Sequence, residues 1–393
     1  MSRSPNQVTS VLAGVCMLAA VGSVHADETT GLTDTSIKVG VMGPFTGNAS
    51  SYSKAEIGLI AYFKHINDQG GIHGRKFEII QEDTTCEPAK GIAGAKKLIH
   101  QDQVFYLHGN SCSGVAMAVK PTIEPTGIPW IVAHAVNQDI SKPPTKGIFH
   151  GVPAGPAYGT AMGKFVMSRP GTQRVGIITH TNDWAKNYCE PASEFMATKG
   201  VKPIVEVALE RGQTDATAQV LKLREAKLDF ILGCLYEAET VVFLRDAKRY
   251  GLRVPVMGTA GTDLENTLAR LGDKDAVKDY YVLHAYIDNV DGPKMKAWND
   301  IVLKYYPDET ITGFSTISMA SGVAAVKALE AAGRDLTRSK FIAELDKIKD
   351  LDTGILACRI TWSADDRHGC KESAVAGFVN GKPTVLSGWN KPL

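Results

Sequence analysis

The sequence has no C-x-x-C pair, no G-x-G-x-x-G run, no nucleophile elbow and no paired-carboxylate motif. These absences argue against thioredoxin-type redox chemistry, dinucleotide binding and the common hydrolase arrangements. No His, Cys or acidic residues recur at metal-ligand spacing, so no metal or cofactor is implied. Net charge is also missing: without Arg3, 42 basic residues stand against 42 acidic ones, which gives nucleic acid or an anionic membrane no attraction. Long apolar runs are absent too, because Val11 to Val21 is too short to anchor a chain in a bilayer.

That short run has another reading. Arg3 supplies a positive n-region, Val11 to Val21 an apolar core, and Val24-His25-Ala26 a cleavage site before Asp27, so residues 1–26 read as a secretory signal peptide. Cys16 is a poor lipid-attachment site, since Val15 occupies a position that calls for Gly, Ala or Ser. The six remaining cysteines are even in number in an exported chain, which favours disulfides.

About 367 residues remain, too many for one core and suited to two lobes. Ser36 to Met42, Phe77 to Asp83, Val104 to His108 and Ile128 to His134 read as strands. Helical stripes separate them, the first carrying Leu59, Ile60, Phe63 and Ile66, and Pro121 to Gly127 is expected to break the helix before the fourth strand. After Gly151-Val-Pro-Ala-Gly155 the alternation restarts, with strands at Val175 to His180, Ile204 to Ala208, Asp229 to Leu235 and Pro255 to Ala260. Tyr281 to Tyr286 and two helical stretches, Lys294 to Tyr306 and Gly313 to Ala332, look like a return to the first lobe, with a late strand at Val375 to Val379 in the second. The expected fold is α/β: two doubly wound parallel-sheet lobes, 36–154 plus 284–354 and 155–283 plus 355–393, joined by a hinge with the ligand cleft between them.

The stretch Phe105 to Gly114 concentrates the functional signal. A short strand feeds Gly109-Asn-Ser-Cys-Ser-Gly114 and then a helix, so unpaired amides and the hydroxyls of Ser111 and Ser113 could receive a carboxylate or phosphate. An ordinary capped helix would look the same. Cys86 and Cys112 lie just beyond strand ends on the ligand side, where they can meet, and closing that loop is worth roughly 3–4 kcal/mol in the chain-entropy model. Cys358 and Cys370 flank an expected hairpin, Thr361 to Gly369, and should form a second bridge. For Cys189 and Cys234, free thiols and a third bridge compete evenly. Enzymatic pairs such as Cys189 or Ser113 with His108, His134 or His180 lack any supporting motif and rank below binding. Aromatics are only 7% of the chain, yet Tyr52, Trp184 and Tyr236 fall at cleft mouths and could stack on a flat ligand; Trp130, inside a strand, suits the core.

Ile37-Lys-Val-Gly-Val, Gly43-Pro-Phe-Thr-Gly47, Ile66 to Ile72, Asp83-Thr-Thr-Cys-Glu-Pro88 and Gly109 to Gly114 together resemble the branched-chain amino-acid binding proteins, the type I periplasmic solute receptors of ABC importers. The resemblance implies a non-enzymatic, monomeric receptor that passes a small ligand to an inner-membrane permease. It also implies that Cys86 pairs with Cys112 and that Ser113, with Asn110 and Ser111 beside it, grips a ligand carboxylate. Tyr52 and Tyr236 match the family's aromatic positions, and Trp184 stands where Tyr is usual. Two departures matter. In His134-Ala135-Val136 the third residue should be a Thr that touches ammonium and carboxylate, and Ala260 aligns with the Glu that neutralises the ammonium. The resemblance therefore implies a carboxylate site without an amine site, suited to an aromatic acid of the hydroxybenzoate or phenylpropenoid type, with His134 or His180 available to a ring hydroxyl. The alternatives are an aliphatic amino-acid binder in which Asp263 or Glu237 supplies the missing charge, or, from other classes, a hydrolase or a sensor domain.

Overall fold

In β1 (Ser36–Gly43), Ile37, Val39 and Val41 join one buried cluster while Met42 joins another. The same split recurs along the first sheet, with Tyr106, Ile131 and Phe149 on one side and Leu107, Trp130, Val132 and Ile148 on the other. Such two-sided burial is what period-two side chains produce in a strand covered by helices on both faces. The computed structural model describes residues 28–284 and 292–386. The expected signal peptide, residues 1–26, lies outside the described residues apart from Met1, as do residues 285 and 286 of the expected strand that starts at Tyr281.

The first sheet runs β2 (Lys76–Asp83), β1, β3 (Tyr106–Gly109), β4 (Trp130–Val132) and β5 (Ile148–His150), all parallel. The second holds β6 (Val175–Thr179), β7 (Val205–Ala208), β8 (Phe230–Cys234), β9 (Val256–Gly258), β10 (Tyr280–His284), β11 (Ala374–Val379) and β12 (Lys382–Val385), in the order β12-β11-β10-β9-β8-β6-β7. Its first five strands in chain order are parallel and the last two antiparallel. This is the expected pair of doubly wound lobes, except that the strand from Tyr281, expected to return to the first lobe, pairs with β9 and β11 in the second sheet.

Helices α1 (Ser53–Asp68), α9 (Lys296–Tyr305), α10 (Gly313–Ala332) and α11 (Arg338–Leu345) pack with one another beside the first sheet, whose other face carries α2 (Pro88–His100) and α3 (Ser113–Ile123). On the second sheet α4 (Gly155–Ser168) and α5 (Asp183–Ala197) cover one face, and α6 (Thr217–Glu225), α7 (Glu237–Arg249) and α8 (Leu264–Leu271) the other. Glycines let α4 and α5 touch backbone to backbone. A Cβ at Gly159 would come within 2.3 Å of the Tyr188 carbonyl and one at Gly163 within 2.7 Å of the Ala192 carbonyl. That close crossing fixes where Trp184 and Tyr188 sit. Among the described residues no helix is long and apolar enough to cross a membrane.

Several local expectations change. Strand β5 was not foreseen. The break expected over Pro121 to Gly127 is present, although Pro121 itself stays inside α3, which ends at Ile123 and passes into a 3-10 turn at Glu124–Thr126. Cys189 and Cys234 are bridged, as are Cys86–Cys112 and Cys358–Cys370. Thr361 to Gly369 is not a two-stranded hairpin; Thr361 N–H donates to Gly369 O around a turn at Ser363–Asp366. This loop lies on the edge of the first sheet, where His150 N–H donates to Arg367 O and Gly369 N–H to His150 O.

Candidate functional site

The carboxyl ends of both sheets face one cavity of about 310 Å³. Ser113, the first residue of α3, stands in its wall. The Ser113 Oγ accepts hydrogen bonds from the backbone N–H of Val136 at 3.1 Å and of Asn137 at 3.3 Å. Both bonds use oxygen lone pairs, so the hydroxyl proton remains to be donated to a ligand. The Cys86–Cys112 bridge also lines the cavity and ties the loop after β2 to the turn before α3. From the opposite lobe α5 begins at the cavity, with Asn182 Oδ1 accepting from Ala185 N–H at 3.0 Å, and Tyr236 in the wall is the N-cap of α7. Helix N-termini with unpaired amides favour anions.

Two lining residues carry a full charge. Arg211 lies at the mouth, its guanidinium 5.5 Å from the Tyr236 ring centre, and among the described residues it has no hydrogen bond or ion pair. The Asp183 side chain is 85% exposed and meets Lys186 at 3.4 Å, so it points away into solvent. Burial pushes the pKa of His134 down to about 4, which leaves that wall neutral. Among the described residues no carboxylate faces inward.

Tyr52 fastens the lobes together. Its hydroxyl donates to Gly261 O at 2.8 Å and accepts from Glu237 N–H at 3.1 Å. Beside it, Gly313 N–H at the start of α10 donates to Asp263 at 2.8 Å.

Of the residues singled out in the sequence, Tyr52, Ser111, Ser113, His134, Val136, Trp184 and Tyr236 line the cavity. Asn110 and Ala135 do not. Asn110 is fully buried and its Oδ1 accepts from Cys112 N–H, shaping the turn, while the Ala135 carbonyl accepts from His150 Nε2. Ser111 turns its hydroxyl back to donate to Glu56 at 2.7 Å. Ala260 and Asp263 line a separate void of about 20 Å³, and Gly261 takes the cavity position. Asp263 is the N-cap of α8, bonded to Asn266 N–H, and Glu237 accepts from Asp263 N–H and from the Thr267 hydroxyl. Burial pushes Glu237 up to about 8 and raises Asp263 as well. Neither residue reaches the cavity. Trp184 and Tyr236 stack directly on each other, centroids 4.0 Å apart, so they form one continuous wall and no ring fits between them.

The enzymatic pairs do not assemble. Cys189 is bridged, His108 pairs with Ser321, and His180 bonds Leu209 O through Nδ1 and Tyr236 N–H through Nε2. Among the described residues no cluster of three or more His, Cys, Asp or Glu could hold a metal. Arg211, Tyr188, Asn137 and Asn182 were missed. Tyr188 lies one helical turn beyond Trp184, and Arg211 follows the carboxyl end of β7, so i,i+4 spacing and the strand-end rule would have pointed to them.

Residues 36–382 match the family model described as periplasmic binding protein. The chain belongs to that family. One relative of this periplasmic binding protein, the leucine-, isoleucine-, valine-, threonine-, and alanine-binding protein of Pseudomonas aeruginosa, is 26% identical over 238 residues, 60% of this chain and 64% of the relative. This periplasmic binding protein thus aligns with just under two thirds of that relative's length. Among solved structures, the branched-chain amino acid transporter substrate binding protein of Streptococcus pneumoniae, in complex with isoleucine, gives a TM-score of 0.80 at 21% identity, over 90% of this chain and 99% of that one. A solute binding protein of R. palustris in complex with benzoate gives 0.80 at 19% identity, over 91% and 97%. At these identities the structural likeness establishes the fold.

Proposed function

We propose that this protein is the non-enzymatic, extracytoplasmic receptor of an ABC importer, exported by residues 1–26 and acting as a monomer. It captures a small carboxylate that lacks an α-ammonium, an aromatic acid of the hydroxybenzoate or phenylpropenoid type, and closes its lobes over the ligand. One observation carries this reading: the cavity holds anion donors on several sides and no inward-facing carboxylate. Ser113 keeps a proton to donate at the start of α3, and Arg211 stands unpaired at the mouth. A buried ammonium would meet neither a threonine at Val136 nor a free acid at Asp263, and an unpaired buried charge costs several kcal/mol. The benzoate bound to the R. palustris structure supports the choice of ligand.

An aliphatic amino acid is the second reading, favoured by the isoleucine and by the name of the Pseudomonas aeruginosa relative. A thermal-shift screen of the mature protein against benzoates, phenylpropenoates and the aliphatic amino acids separates the two. A ligand at about 100 times its dissociation constant adds roughly 2.7 kcal/mol of stability. Shifts from the aromatic acids alone support the proposal, and shifts from leucine or valine alone replace it with the second reading.

A further inference from the structure

Three buried polar groups in the walls of the cavity and of the small void beside it have no hydrogen-bond partner among the described residues. Tyr188 lines the cavity and is fully buried, and its hydroxyl hydrogen-bonds none of the described residues. The Tyr158 hydroxyl is equally orphaned on the neighbouring ring, stacked on Tyr188 with centroids 5.9 Å apart, and it lines the adjoining void of about 20 Å³. His134 lines both spaces, is 4% exposed, touches Phe314 edge-on at 5.1 Å, and hydrogen-bonds none of the described residues. Buried polar groups are nearly always satisfied, so unpaired ones that converge on a cavity point to a ligand atom.

We propose that Tyr188 and His134 form a second polar subsite that reads a neutral oxygen on the ligand, a ring hydroxyl or methoxy group. This rests on the aromatic-acid reading and narrows it to hydroxylated or methoxylated monocarboxylates. Tyr188 projects from α5 on the second lobe and His134 follows β4 on the first, so the subsite takes one group from each side of the cavity. Burial keeps the Tyr188 phenol and the His134 ring uncharged, and the cavity's cation, Arg211, is at the exposed mouth. A second carboxylate in this subsite would be desolvated with no counter-charge. A neutral hydroxyl can both accept from Tyr188 and donate to a ring nitrogen of His134. The void beside Tyr158 is large enough for about one water, which would satisfy that hydroxyl without the ligand.

The test is titration calorimetry of wild type and Tyr188→Phe with benzoate, its 3- and 4-hydroxy isomers, terephthalate, cinnamate and 4-hydroxycinnamate. In wild type the better hydroxylated acid of a pair should bind roughly tenfold or more tighter than its parent, and terephthalate should bind worst. Tyr188→Phe should shrink the hydroxyl preference to under about threefold while leaving the unsubstituted acid within about threefold of wild type. Equal wild-type affinities within each pair would remove the subsite and leave the aromatic-acid reading standing. A parallel loss of both members in Tyr188→Phe would mean that Tyr188 only supports the wall, and also overturns the subsite. Heat from leucine and none from any aromatic acid would remove both proposals.

Discussion

Replacing Ser113 with alanine separates its two roles. The hydroxyl oxygen holds the Val136 and Asn137 amides at 3.1 and 3.3 Å, and its proton is the part available to a ligand. Ser113 is 6% exposed, so both amides lose a partner in a largely dry site. That loss should cost about 1–2 kcal/mol of folding stability, at the usual net value of a neutral hydrogen bond. The ligand loses more, because a hydrogen bond to a charged group contributes roughly 1.5–3 kcal/mol, equivalent to about 10- to 150-fold in affinity. Calorimetry with benzoate gives the second number and thermal melting of the ligand-free variant the first. A variant that melts lower but binds benzoate within about threefold of wild type would show that Ser113 only pins the loop after β4, and would refute its assignment to the carboxylate.

Glu56 should make stability fall with rising pH. Burial pushes its pKa up to about 8, so the folded state keeps a proton that the unfolded chain releases. The contribution is full below the unfolded value near 4.3 and declines by roughly 1.4 kcal/mol per pH unit up to about 8. Glu237, also pushed to about 8, acts in the same direction. Glu56→Gln should therefore flatten the decline of the denaturant midpoint by about half without abolishing it, and an unchanged slope would contradict the assignment. Tyr52→Phe removes both inter-lobe bonds of the phenol, so benzoate should bind roughly tenfold more weakly and shrink the radius of gyration less than in wild type. Wild-type affinity and compaction in this variant would show that the Tyr52 clasp does not drive closure.

What the sequence revealed depended on how local the determining physics is. Ile37, Val39 and Val41 announce β1 because alternation is a property of the strand itself, and Cys86 and Cys112 could be paired because both follow strands of one sheet. Strand β5 has three residues, too few for any period to register, and its place comes from the ladder with β4. The Cys189–Cys234 bridge joins residues 45 apart, on α5 and at the end of β8, through a helix-on-sheet contact that spacing cannot express. The site was legible where a helix N-terminus forms it, as at Ser113. For Tyr188 the i,i+4 spacing from Trp184 gives the helix face, but the crossing of α4 and α5 at Gly159 and Gly163 decides where that face points. Asp263 was read toward a ligand although an Asp that opens a helix serves equally well as a cap, and the cap is the role it fills.

The central claim is that the cavity grips a carboxylate and has nothing for an α-ammonium. Phenylalanine and 3-phenylpropanoate differ only in that ammonium, so their titration into mature protein, unfolded and refolded to remove any carried ligand, tests the claim most directly. 3-Phenylpropanoate should bind at least about tenfold more tightly than phenylalanine, a gap of roughly 1.4 kcal/mol or more. Phenylalanine binding at about micromolar strength, near −8 kcal/mol, with no heat from 3-phenylpropanoate would contradict it.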